Sequence, residues 1–444
     1  MGGMSESKTQ RERLWSPLFV LIVGVSLCTF LVGQGLNSGT TVYLSLYGGT
    51  ATWAGVLAAV FSAAAGCTRL LCGPFIDRTG RRAVMVAGAV ALVVGTLGPV
   101  ATHANAAFTA FRLLQGMGFG AVSAAAATAA ADVLPASRLG EGIGYFGLGQ
   151  ALAMSVGPAF ALYLVSTDPA ENLYLGLGAV AVLGCVCTLL CRYERRPETL
   201  PETSAYRRMH ARPDGGKTAR ADEDAQEPRA AGSAGAGARD AASSEEAPRG
   251  IWRFVERRAL PGMVPMLLMT PSFGFSIFFM GLYGTSLGLS GTGLYYTVCA
   301  CAMIVVRLVS SSLLDSMAPA KLFAVAAAFG AGGFAMLLAA GTLCAGGAAG
   351  AVLFVAAGAP IGVCMGITTP LGQAVSVRNT PPERWGAATS LYQIAPDIGN
   401  SAGGIVWGLM NDAFGFPATI CAVMVCIAAS ALLAGALYPK EPPR

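Results

Sequence analysis

The stretch Gly73-Pro74-Phe75-Ile76-Asp77-Arg78-Thr79-Gly80-Arg81-Arg82 is a short polar interruption between two long apolar runs, 53–76 and 83–102. Its chemistry is that of a tight turn at a membrane surface. Gly73 removes a side chain where helices approach closely, and Gly80 permits a turn that other residues resist. Asp77 is placed to accept hydrogen bonds from a helix N-terminus. The arginines are placed to meet anionic headgroups and nearby carboxylates. Two apolar runs joined in this way read as consecutive membrane helices.

The same alternation extends over the whole chain. Of 444 residues, 54% are hydrophobic and only 12% are charged, where a soluble domain carries about 25% charged residues. Apolar runs of roughly 20 residues recur, each long enough to cross a hydrocarbon core of about 30 Å as a helix. They fall near 17–46, 53–76, 83–102, 106–131, 141–165 and 172–191, and again near 261–287, 292–314, 321–342, 349–376, 385–410 and 415–438. The fold class is therefore all-α integral membrane, with about twelve spans in two sets of six. The 58 glycines suit helices that pack closely in lipid. The first apolar run follows a basic segment but is too long for a signal peptide and lacks a cleavage site, so it reads as a retained helix.

Charge placement sets the expected orientation. Of the 29 Lys and Arg residues, 26 fall on one set of alternating segments: the N-terminus, the Arg78–Arg82 turn, Arg138, Arg192 to Arg258, Lys321, Arg378, Arg384 and the C-terminal tail. The opposite loops contain none. This bias predicts a multi-pass protein of the cytoplasmic membrane with both termini in the cytoplasm. The net charge of +5 therefore belongs to a membrane surface and its lipids, and a nucleic-acid partner is not expected.

Other classes find little support. The 12 Cys are scattered through apolar runs, and both His (His103, His210) lie in loops, so no metal site is expected. There is no nucleophile motif, no paired acids within a span and no G-x-x-x-x-G-K-[ST] loop, which argues against an enzyme, a cofactor and an ATP-driven pump.

The domain reading follows the runs: a cytoplasmic N-terminus (1–16), a six-helix half (17–191), a linker (192–259), a second six-helix half (260–438) and a short tail (439–444). From about Pro197 to Arg249 the linker is rich in Ala, Gly, Pro and charged residues, and it is expected to be disordered. Its end, Ile251 to Arg258, alternates apolar and basic residues and suits a helix lying on an anionic leaflet.

The halves repeat each other. Arg69-Leu-Leu-Cys-Gly-Pro-Phe-Ile-Asp77 is echoed by Arg307-Leu-Val-Ser-Ser-Ser-Leu-Leu-Asp315, and Pro135-x-x-Arg138-x-Gly140 by Pro381-x-x-Arg384-x-Gly386. Internal repeats of this kind build transporter folds that rock about a midplane site.

The turn from Gly73 to Arg82 resembles the G-x-x-x-D-R-x-G-R-R signature of the major facilitator superfamily, and every fixed position agrees. Arg112-Leu-Leu-Gln115-Gly116-Met-Gly118 resembles that family's R-x-x-Q-G-x-G element. Gly144, Ala153, Gly157 and Pro158 partly match its antiporter signature, with Ala153 replacing a glycine and Ala161-Leu162 replacing the final pair. Gly140-Glu141-Gly142-Ile-Gly144-Tyr145 has the texture of bacterial efflux members. The resemblance implies two pseudo-symmetric six-helix halves, a monomeric carrier, and a turn (Gly73, Asp77, Arg78, Gly80, Arg81, Arg82) that latches the halves when the transporter faces outward. It also implies a part for Arg112 in proton coupling, and that spans 1, 4, 7 and 10 face a cavity. Gln34, Asn37, Gln115, Phe273, Phe278 and Tyr283 are the candidate cavity residues.

Most acids lie in loops or at helix ends, but Asp397 does not. About twelve residues from Trp385 at 1.5 Å each put it roughly 18 Å from the basic face, and an acid inside the membrane is a functional candidate. Arg69 lies eight residues inside Asp77, about 12 Å deep. In the family, spans 2 and 11 pack across the halves, so Arg69 and Asp397 are expected to approach in one state and separate in the other. The functional expectation is a proton-coupled exporter of drugs or metabolites. The alternatives are an uptake symporter for a small nutrient and, more remotely, a membrane enzyme or sensor.

Overall fold

The computed structural model describes residues 14–102, 104–135, 138–192, 194, 200–201, 204, 206–207, 257–289, 291–343, 347–378, 380 and 385–441. Among these, every regular element is a helix. The first half comprises α1 (Pro17–Leu46), α2 (Ala51–Thr79), α3 (Arg81–Leu97), α4 (Asn105–Val133), α5 (Leu139–Val165) and α6 (Asn172–Leu190). The second comprises α7 (Leu260–Phe278), α8 (Met280–Ser286), α9 (Gly293–Ser316), α10 (Pro319–Thr342), α11 (Ala348–Ala356), α12 (Gly358–Arg378) and α13 (Trp385–Leu437).

Ten described helices are long and apolar enough to cross a membrane. One of them, Leu391–Leu437, turns at Gly415 (φ 78°, ψ 174°) and supplies two crossings. With the shorter apolar helix Gly293–Leu308, the twelve expected spans are all present. Proline marks several bends: Pro265 and Pro271 lie within α7, Pro370 within α12 and Pro396 within α13, where each removes a helical N–H.

Local signals set the helix starts. Ser16 Oγ accepts from the Phe19 N–H at 3.1 Å, with Pro17 at the first helical position, so α1 begins there. Thr50 caps α2 in the same way through the Trp53 N–H at 3.1 Å. Between α2 and α3, Gly80 adopts φ 89°, ψ 156°, a region almost closed to other residues.

Inside each half, helices touch backbone to backbone where glycine allows it. A Cβ on Gly120 of α4 would lie 2.4 Å from the Ala65 carbonyl oxygen of α2, and one on Gly362 of α12 would lie 2.0 Å from the Cys299 carbonyl oxygen of α9. Such small-residue contacts replace the hydrophobic drive that lipid cannot supply.

The halves meet at the end of the bundle where α1 stops and α2 starts. There the Thr41 hydroxyl donates to the Phe278 carbonyl at 2.7 Å. Gly293 of α9 rests on Ala159 of α5, and α2 runs antiparallel along the first limb of α13. The bonds joining the halves along α2 extend from this end down to the level of Arg69. Beyond Arg69, Leu70, Leu71 and Phe75 are exposed.

The start of the linker departs from the expected disorder after Pro197. Leu200, Ser204 and Tyr206 are buried, and Leu200 and Tyr206 join the apolar cluster of Leu14, Ile76 and Met85 at the basic end of the first half. Residues 208–256, including the expected surface segment from Ile251, lie outside the described residues.

Candidate functional site

Asp397 sits in α13, three residues before Asn400, where α13 crosses α2. Its Oδ2 is 2.5 Å from Nη1 of Arg69, and Arg69 Nη2 reaches the Ser123 hydroxyl of α4 at 3.3 Å. One carboxylate and one guanidinium thus join the two halves, with a side chain from a third helix holding the arginine. The side chains keep 25% and 17% of their surface exposed, and the pair is otherwise inside the bundle.

Arg112 is a different case. It is 1% exposed, and no carboxylate touches it among the described residues. Its Nη2 donates to Asn37 Oδ1 at 2.8 Å, its Nη1 to Gln115 Oε1 at 2.9 Å and its Nε to the Leu57 carbonyl at 3.4 Å. The Phe61 ring lies under the guanidinium at 4.8 Å, a cation–π contact of some value in a dry interior. Gln115 is itself fixed by donating Nε2 to the Gly95 carbonyl at 2.8 Å. The first half therefore buries a positive charge against neutral acceptors only.

The structure places the expected cavity residues as follows. Asn37 and Gln115 are buried because a sequestered arginine needs acceptors, and both amide oxygens are committed to it. Gln34 is half-buried. Tyr283 is buried in the second half, donating its hydroxyl to the Leu337 carbonyl at 2.9 Å and packing on Phe354 and Phe416. Phe273 and Phe278 are buried too. A water-sized cavity between the halves is lined by Met154 of α5 together with Ser276, Tyr296, Cys299, Met303 and Met365.

At the basic end, Arg81 is 1% exposed rather than turned to headgroups. Its Nε stands 2.9 Å from Asp132 Oδ2, a charge contact without the alignment of a hydrogen bond. Asp132 Oδ1 accepts from the Ser204 hydroxyl and the Tyr206 N–H, each at 3.2 Å, and the Tyr206 ring lies 5.1 Å from the guanidinium carbon of Arg81. Glu194 accepts from the Arg82 N–H at 2.9 Å, and Arg82 Nη2 donates to the Leu189 carbonyl at 3.1 Å. The side chains of Asp77 and Arg78 and the surroundings of Gly73 lie outside the described residues.

The Major Facilitator Superfamily profile matches residues 18–353 and 333–444, which is nearly the whole chain. The chain belongs to this superfamily. It is similar to the multidrug resistance protein MdtL of Klebsiella pneumoniae (strain 342), at 24% identity over 185 residues, 40% of this chain and 47% of the relative. It is also similar to a chloramphenicol resistance protein of Pseudomonas aeruginosa, at 31% identity over 139 residues, 30% of this chain and 31% of the relative. The alignments thus span less than half the length of these relatives. Among solved structures, a D-xylose-proton symporter has the same fold, with a TM-score of 0.69 at 16% identity, covering 95% of this chain and 98% of that one. The chain is a multi-pass membrane transporter of this superfamily, not an enzyme.

Around the superfamily turn, sequence reasoning missed the parts of Asp132, Glu194 and the docked Ser204 and Tyr206. One signal for Asp132 was available: it is the sole acid of the span near 106–131 and its end, and it faces a basic turn. Nothing in the sequence marks Ser123 as the residue beside Arg69.

Proposed function

We propose that this transporter is a proton-coupled exporter of small amphipathic molecules, working by alternating access in the cytoplasmic membrane. The basic end is taken as cytoplasmic, in keeping with the positive-inside bias. On that assignment the halves are closed outside and the state is inward-facing. The observation that carries the reading is the contact between Arg69 and Asp397 across the halves. An arginine in contact compensates a carboxylate charge held inside a membrane protein, and parting leaves a carboxylate better accommodated when neutral. Proton release then accompanies the contact on the inner side, and proton uptake accompanies separation when the site faces outward. Inward proton flow would drive outward movement of the cargo.

The resistance relatives make chloramphenicol the first compound to try.

The test is uptake of radiolabelled chloramphenicol and a panel of amphipathic compounds into everted vesicles, with and without an acid interior. The expected result is accumulation that needs the pH gradient and is lost in Asp397→Asn. Normal gradient-driven accumulation by Asp397→Asn would overturn the coupling assignment, and efflux from the vesicles with the proton would overturn the direction.

A further inference from the structure

Both acids on the first limb of α13 touch α2, one at each end of the seam between the halves. Asp397 meets Arg69 at the inner end. Asp412 meets the first turn of α2 at the outer end. Its Oδ1 accepts from the Ala51 N–H at 3.0 Å and its Oδ2 from the Thr52 N–H at 2.7 Å. These two N–H groups belong to the first turn of a helix and have no partner within it. A carboxylate there also meets the positive end of the helix dipole. A helix of one half is thus capped by a side chain of the other.

The seam between these clasps is built for backbone contact. A Cβ on Gly55 would lie 2.0 Å from the Gly404 carbonyl oxygen, and one on Gly408 would lie 2.7 Å from the Ala51 carbonyl oxygen. Ser401 adds a hydrogen bond to the Ala59 carbonyl at 3.3 Å. The outer ends of α2 and α13 can part only if the Asp412 bonds and this packing break together.

We infer that Asp412 is the latch of the outer gate: its carboxylate holds α2 and α13 together while the inner side is open, and lets go when the transporter faces outward. The inference rests on the alternating-access reading, but not on the direction, the cargo or the coupling ion. The inner signature turn and this cap would then act on opposite faces, the inner one by side-chain charge and the outer one by a carboxylate on backbone N–H groups. Thr50 Oγ1 continues to cap Trp53 in either state because both lie on the same strand of chain. The Ala51 and Thr52 N–H groups, together with the Thr50 and Thr52 hydroxyls that also reach the Asp412 carboxylate, change partner.

Hydrogen–deuterium exchange of the full chain in lipid nanodiscs tests this without labels. Asp412→Ala removes the cap, while Gly55→Ala is an independent wedge in the same seam. If Asp412 is a gate residue, both variants exchange about twofold or more faster in peptides 48–57 and 404–416. Both also exchange more slowly in inner-end peptides 70–82 and 139–148, because the population moves to the state closed inside. If Gly55→Ala gives this paired change and Asp412→Ala speeds exchange only at 50–53, Asp412 is a local helix cap and the inference falls. If neither variant slows the inner end, the two faces are uncoupled, and both the gate and the alternating-access reading fall.

Discussion

The guanidinium of Arg81 and the carboxylate of Asp132 stand 2.9 Å apart at the basic end of the first half, with side-chain exposures of 2% and 3%. Removing one member of such a pair leaves the other charged and buried, at a cost of about 3–5 kcal/mol. Asp132→Ala is therefore expected to lower the thermal unfolding midpoint in detergent markedly. The double variant Arg81→Met/Asp132→Leu, which buries no charge, is expected to recover most of that loss. Equal destabilisation by the single and the double variant would mean that the charges do not matter to each other.

The Arg112 cluster makes a second prediction. Asn37 offers its oxygen to Arg112 at 2.8 Å inside a dry interior, so Asn37→Ala leaves a charged donor without its acceptor. The expected cost is about 1.5–3 kcal/mol, read as a lower unfolding midpoint. Arg112→Lys keeps the charge but has no planar fork to serve Asn37, Gln115 and Leu57 together. It should be at least as damaging as Asn37→Ala, and a lysine variant of native stability would show that geometry at this site is unimportant.

The sequence carried the fold through hydropathy and charge, which report depth in the membrane. Depth also brought Arg69 and Asp397 to comparable levels, and their contact is present, although its role in transport is the proposal made above. What depth does not report is direction around a helix axis. Tyr283 reads as a cavity candidate, yet its ring turns into the second half, where it packs on Phe416. Asn37 and Gln115 likewise look like cavity polars until the position of Arg112 is known. The docking of the linker's first residues was hidden for a related reason: Leu200 and Tyr206 are isolated apolar residues in a polar stretch, and only the cluster around Met85 and Ile76 gives them somewhere to go.

Gly80 supports a third prediction. Its φ of 89° with ψ of 156° is a conformation L side chains rarely adopt, and an added Cβ would lie 2.7 Å from a Glu194 carboxylate oxygen. Gly80→Ala should cost about 1–3 kcal/mol from the backbone alone. Adding Glu194→Ala relieves the collision but not the dihedral strain, and it also removes the acceptor of the Arg82 N–H. The double variant should remain clearly less stable than the native chain in thermal unfolding. A Gly80→Ala protein as stable as the native one would mean that the turn between α2 and α3 relaxes freely.

Gly66 offers a way to disturb the Arg69–Asp397 contact without touching either charge. It lies three residues before Arg69, on the same face of α2, and a Cβ there would come 2.8 Å from Cβ of Asp397. Gly66→Ala must displace the segment bearing Asp397 by some tenths of an ångström, which loosens the pair while keeping both ionisable groups. In everted vesicles, gradient-driven accumulation of a transported substrate should fall several-fold, while exchange of that substrate at equal pH falls less. Gly24→Ala is the matched control, because nothing lies within 4 Å of the added methyl, and it should behave as native in both assays. If Gly66→Ala lowers both activities equally, the crossing of α2 and α13 matters for movement of the halves but not for coupling. If it changes neither, the close approach at Asp397 is not used in transport.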